Sequence, residues 1–218
     1  MKKLLLTCFL LGVVLIVPVA SSPIAVILLN PRNWDQGLVP AGWHLKVNHG
    51  KPDVLMSSDG SGSSIRLKSV DSSFGLERGA DVNPNETRYL TWSWKVTQLP
   101  ARGDFRSAAT DDQAAQLLVA FADRRVLSYI WDTSAPKGTE QSAGAYLLAH
   151  IFAIVCESGE TQIGRWVQEA RDVAADYFRA YGKAAPHIKG LRIQINSQHT
   201  STAAESYFGE VAFRGNLP

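Results

Sequence analysis

The chain has 218 residues, of which 45% are hydrophobic, 19% charged and 9% aromatic, with 22 basic against 20 acidic side chains. This composition excludes a disordered chain and a disulfide-stapled mini-protein, and it suffices for one domain around one core. No basic run or stripe is present, so the electrostatic footprint of a nucleic-acid binder is missing.

The chain opens with Met1-Lys2-Lys3 and then runs from Leu4 to Val17 without a charge. A short basic start before an apolar run of that size predicts a secretory signal peptide over residues 1–21, cleaved after Ala20 or Ser21, and hence a periplasmic or secreted protein. Taking Lys2 and Lys3 from the 22 basic residues leaves 20 against 20, a formally neutral mature protein. The alternative is an uncleaved anchor: Leu4 to Leu29 is long enough to span a bilayer, for which about 20 apolar residues suffice. Ser21-Ser22-Pro23 interrupts the run and favours cleavage, so a membrane partner is expected only through an uncleaved signal. Cys8 would leave with the signal. Cys156 would then stand alone, unable to form an internal disulfide, and its apolar surroundings predict a packed, inert thiol.

Beyond the signal, alternation with period two dominates, the pattern of strands with one buried face. Trp43, Leu45 and Val47 form one such row, Ile65 and Leu67 a second, and Leu90, Trp92, Trp94 and Val96 a third. Leu117 to Phe121 and Ile151 to Cys156 are apolar on both faces and read as central strands. Between them, Leu127, Tyr129 and Trp131 share a face. Gly164 to Val167 looks extended. A single helix is expected, near 172–181, with Val173, Ala174, Tyr177 and Tyr181 on one face, Asp172 capping its start and Gly182 ending it. Leu191, Ile193 and Ile195 then alternate with Arg192, Gln194 and Asn196, and Tyr207, Val211 and Phe213 alternate with Phe208, Glu210 and Arg214. Many strands with Gly- and Pro-marked turns, and no helical crossovers, predict an all-β antiparallel jelly-roll-like sandwich, one domain over residues 30–217.

Candidate chemistry is sparse. The long irregular stretch from Thr97 to Gln116 carries Asp104, Asp111 and Asp112, which could offer oxygen ligands to a structural calcium ion, or cap turns and pair with Arg102 and Arg106. Six tryptophans invite a reading in which rings stack on sugar faces, against one in which they fill the core. Tyr129 and Trp131, near a strand end, are the ring candidates for ligand contact. Arg171, at the strand-to-helix junction, can grip a carboxylate or sugar hydroxyls with its planar fork, or pair internally with a residue such as Asp176. No G-x-S-x-G elbow, H-E-x-x-H pair, C-x-x-C or phosphate-binding glycine loop occurs.

Several segments together carry a resemblance: Gly42-Trp43; Leu90-Thr91-Trp92-Ser93-Trp94-Lys95-Val96; Asp111-Asp112 before an apolar strand; Tyr129-Ile130-Trp131; Arg171-Asp172-Val173 with Asp176-Tyr177 and Tyr181-Gly182; and Tyr207-Phe208-Gly209-Glu210-Val211. They resemble a bacterial secreted family catalogued as domain of unknown function 3047, over nearly the whole mature chain. The family tends to be aspartate-rich after the strand holding Ile193, in a D-T-D-x-T style, whereas this chain has Asn196-Ser197-Gln198-His199-Thr200. The family's general look is similar to jelly-roll carbohydrate-binding modules, an analogy of fold alone.

The leading expectation is therefore non-catalytic binding of a glycan or small polar ligand in the cell envelope, with Tyr129, Trp131, Asp111, Asp112 and Arg171 as candidate contacts. The alternatives are a carboxylate-dependent glycan hydrolase or lyase using Asp104, Asp111 or Asp112, and a structural partner that docks by a sheet edge.

Overall fold

A computed structural model describes residues 25–33, 39–60, 62–146 and 149–217. The expected signal peptide and Trp34 lie outside the described residues. Among the described residues the chain forms β1 (Ala25–Leu29), β2 (His44–His49), β3 (Val54–Asp59), β4 (Gly62–Val70), β5 (Ser73–Val82), β6 (Tyr89–Gln98), β7 (Ala115–Phe121), β8 (Arg125–Asp132), β9 (Glu140–Tyr146), β10 (Ala149–Ser158), β11 (Val167–Asp172), α1 (Val173–Tyr181), β12 (Ile188–Asn196) and β13 (Ala203–Arg214). They assemble into a two-layer jelly-roll-like sandwich. One sheet runs β11-β6-β13-β4-β3 with β1 also on β13, and the other runs β2-β5-β12-β7-β8-β10-β9.

The alternating rows account for the core. Leu90, Trp92, Trp94 and Val96 of β6 face Leu117, Val119, Leu127, Tyr129 and Trp131 of β7 and β8, and all are buried. Rings interlock across the layers: Trp92 lies 5.2 Å from Tyr129 and Trp94 lies 6.0 Å from Trp131 between centroids. Each such fully buried large side chain contributes roughly 1.5–3 kcal/mol relative to exposure. Cys156 is buried in this core, and burial pushes its thiol well above its ordinary range.

Five features depart from the expected pattern. β10 runs parallel to β8, because β9 takes the sheet edge and the chain returns between the two. β1 pairs with β13, so the fold recruits residues ahead of Asn30, and Leu28 and Leu29 enter the core. Gly164 is a turn residue with φ 74°, and the strand starts only at Val167. In β13 the register with β6 skips between Phe208 and Val211. That bulge inverts the expected faces: Phe208 is buried, while Tyr207 sits on the outer face beside Lys95. On β2, an edge strand, Leu45 and Val47 stay 38% and 43% exposed, since no strand covers them.

The helix α1 forms as its caps dictate. The Asp172 side chain accepts from the Ala175 N–H, and Gly182 adopts φ 68° while its N–H donates to the Phe178 carbonyl. No described helix is long and apolar enough to cross a membrane.

Candidate ligand groove

Tyr129 and Trp131 do not reach a ligand. Both belong to the inward row of β8 and are fully buried, with Trp92 and Trp94 against their rings. The Tyr129 hydroxyl donates to Asp176 Oδ2 at 2.9 Å, and the Trp131 indole N–H donates to the Gly159 carbonyl at 3.2 Å. Burial, followed by the charge of Asp176, raises the Tyr129 hydroxyl well above its ordinary range.

Arg171 is committed to the same internal cluster. Its Nε and Nη2 donate to the two oxygens of Asp176, each at 2.8 Å, and its guanidinium stands 5.8 Å from the Tyr129 ring centre. Arg179 donates to Asp176 Oδ1 at 2.5 Å and reaches Glu140. Together these contacts clamp α1 to both sheet edges, which is the internal-pair reading of Arg171.

The three candidate aspartates do not converge. Asp104 is held by Arg106, whose guanidinium keeps its carboxyl below the usual range. Asp112 is fully buried, and its carboxylate accepts from the backbone N–H groups of His199 and Thr200 and from the Thr200 hydroxyl at 2.7–3.2 Å. It serves as a peg that holds the 196–202 turn against the 99–114 loop. Among the described residues no group of three or more His, Cys, Asp or Glu side chains is placed to hold a metal ion. Of the three, Asp111 lines a cavity.

That cavity is a groove of about 550 Å³ on the outer face of the seven-stranded sheet. Its floor comes from the rows opposite the core rows. Gly75, Gln194, Gln116 and Ile130 lie in one line across β5, β12, β7 and β8, and Glu77, Arg192, Leu118 and Ser128 lie in the next. A Cβ on Gly75 would stand 2.5 Å from the Ile193 carbonyl oxygen, so the close strand approach there requires glycine. The two central strands are apolar on both faces, as their sequences predict. An outer set (Ile130, Ala153 and Val155) packs with Phe105 from the 99–114 loop, and Ile130, Ala153 and Phe105 form the groove's apolar wall.

The polar wall is a relay of side-chain amides. Gln194 donates to Gln116 Oε1 at 3.4 Å, Gln116 donates to Asn196 Oδ1 at 2.6 Å and to Gln113 Oε1 at 2.8 Å, and Gln113 donates to Asp111 Oδ1 at 2.8 Å. Asn196 also donates to the Asp111 carbonyl at 2.7 Å. Arg192 pairs with Glu77 through two nitrogens and donates to Gln194 Oε1 at 3.1 Å. Each member therefore fixes its neighbour's orientation before any ligand arrives. Burial raises the Asp111 carboxyl above its ordinary range, a rise that the Gln113 hydrogen bond partly offsets. Sequence reasoning named Asp111 but missed Gln113, Gln116, Gln194 and Asn196. The polar residues alternating with Ile193 and Ile195 were the available signal, and they read equally well as an ordinary wetted face.

The comparison with curated proteins gives no match. Among solved structures the chain is similar, at a TM-score of 0.47 and 9% identity, to the family 11 carbohydrate-binding module of the cellulosomal cellulase Lic26A-Cel5E of Clostridium thermocellum, over 91% of this chain and 98% of that one. It is also similar to the xyloglucanase domain of NopAA, a type three effector from Sinorhizobium fredii, at a TM-score of 0.45 and 8% identity, over 79% and 92% of the two chains. A third is the family GH12 endoglucanase 3 of Trichoderma harzianum, at a TM-score of 0.43 and 9% identity, over 80% and 97%. The model of the family described as "Protein of unknown function (DUF3047)" matches residues 41–212, most of the chain, and the protein belongs to that family.

Proposed function

We infer that the protein binds a glycan or another polyhydroxylated ligand in the groove across the seven-stranded sheet, and that it does so without cleaving it. The observation that carries this reading is the amide relay facing an apolar wall in one open groove. A sugar presents hydroxyls at its edge and C–H groups on its faces. Side-chain amides supply donors and acceptors together, and Leu118, Ile130 and Ile151 supply the apolar counterpart. Pre-oriented amides lower the ordering cost of binding.

Cleavage would call for two carboxylates facing each other across the ligand. In the groove Asp111 is bound to Gln113, whereas Asp112 is fully buried and engaged by residues 199 and 200. Export to the periplasm or beyond goes with the binding reading and is supported by the basic start and apolar run of residues 2–17. Cell fractionation tests it, and a cytoplasmic pool of full-length chain would count against it.

The binding test is calorimetry and glycan-array profiling of the protein beside its Gln194→Ala variant. Binding that weakens in the variant supports the groove. No binding to any envelope or plant polysaccharide overturns it.

A further inference from the structure

A second pocket lies on the opposite side of the sandwich, on the outer face of the six-stranded sheet, and it arises from a break in one strand's partners. One edge of β13 is shared by two strands: β4 pairs with it up to Phe208, and β1 pairs with it from Val211. Gly209 and Glu210 fall in the interval, at the same bulge where the ladder with β6 skips from Phe208 to Val211. The interval opens a hollow of about 300 Å³ between Asn30–Arg32, the start of β4, β6 and the segment entering β11.

Its lining has the composition of a small-ligand site. Of the described tryptophans, Trp43, Trp92, Trp94 and Trp131 are in the core, and Trp166 alone is left on the outside, against this hollow. Lys95 stands 5.0 Å from the Trp166 ring centre and 4.6 Å from that of Tyr207, and it pairs with Asp59 at 2.8 Å. The ring is thus held in place on one side. Ser93 and Gln168 are register partners on the outer face, so their polar ends stand side by side. A Cβ on Gly209 would lie 2.1 Å from Ser93 Oγ, so the glycine leaves the room in which that hydroxyl sits.

We propose that this hollow is a second carbohydrate site that takes one hexose unit, with the sugar's apolar face on Trp166 and its hydroxyls on Ser93, Gln168 and Ser63. Its size suits a single sugar ring rather than a chain. The proposal goes beyond the groove and does not rest on it, because the two sites share no residue and lie on different sheets. Two sites on opposite faces would let one molecule hold two glycan ends, with the gain in avidity that linkage brings.

The test is nuclear magnetic resonance of the full chain titrated with free D-glucose, D-galactose, D-mannose and N-acetyl-D-glucosamine. At least one sugar is expected to shift the Trp166 indole N–H signal together with the amide signals of Ser93, Gln168 and Gly209. Trp166→Ala should weaken that sugar's binding roughly tenfold, about 1.4 kcal/mol of ring contact. Gln168→Ala, at an exposed position that leaves the strand intact, should weaken it roughly threefold. The groove variant Gln194→Ala should leave the Trp166 indole shift and its titration midpoint unchanged. No shift at Trp166 with any of the four sugars, shifts that persist equally in both pocket variants, or shifts confined to Gln116 and Gln194 would each overturn the proposal.

Discussion

Two polar regions of this molecule use similar side chains to opposite ends. At the helix junction, Asp176 gathers Tyr129, Arg171 and Arg179, and the cluster is closed: the Asp176 side chain is 4% exposed and its oxygens are fully engaged. In the groove, Asp111 ends a relay of amides in which Gln113, Gln116 and Asn196 are themselves buried, while Asp111 and Gln194 are half-buried and line the cavity. A carboxylate surrounded by arginines inside a sandwich is a fastener. One that lines a groove at the end of such a relay is available to a visitor. Side-chain chemistry alone therefore does not mark a site, because what each oxygen already accepts decides it.

The comparison breaks most sharply at the fastener. Asp176→Ala should lower stability by about 3 kcal/mol, the lower end for a disrupted ion cluster because both arginines keep contact with water. Thermal unfolding measures it, and ligand affinity of the folded fraction should not change. A fall below about 0.5 kcal/mol would mean that the junction does not hold the helix.

Asp112→Asn probes the peg beneath the turn that borders the groove. The amide puts a donor where Asp112 accepts from His199 and Thr200, so a loss of about 2 kcal/mol in stability is expected, with weaker groove binding as the 196–202 turn loosens. Normal affinity alongside lowered stability would separate the turn from the groove.

A third region sharpens the contrast through pH. Glu169 is pushed up to about 7, first by burial and then by the charge of Glu157. Its folded form keeps a proton that the unfolded chain has already released, so stability should fall as pH rises from the ordinary carboxylate range to about 7 and then level off. Glu169→Gln should abolish this decline and make the variant more stable above pH 7, on the order of 1–2 kcal/mol. Denaturant midpoints at several pH values measure it, and parallel curves for the two proteins would refute it.

The smallest effect belongs to the open side. Gln194→Ala should cost the ligand roughly threefold to tenfold in affinity, the worth of one neutral hydrogen bond, while leaving stability within about 0.5 kcal/mol. A large stability loss instead would place the relay with the fasteners.

Much of the architecture was legible in the chain. The inward rows of β6, β8 and β12, the double-sided apolar strands, the buried Cys156 and both caps of α1 follow from local rules of period and capping, and they hold in the structure. Tyr129 and Trp131 show where that legibility stops. Their spacing put them on one face of a strand, and the same spacing sealed them inside once that face met the other sheet. Tyr207 shows it differently, since the Gly209 bulge resets the count along β13 and turns the ring outward.

Alternation and end-capping act over neighbouring residues, so the β-sandwich and the capped helix α1 could be read along the chain. Which polar rows became fasteners, which became a groove, and where a broken ladder left a hollow were settled when the two sheets came together. Those outcomes turn on partners far along the chain, 47 positions apart for Tyr129 with Asp176, 78 for Gln116 with Gln194 and 88 for Asp112 with Thr200, and a distance in space is not written in any local spacing.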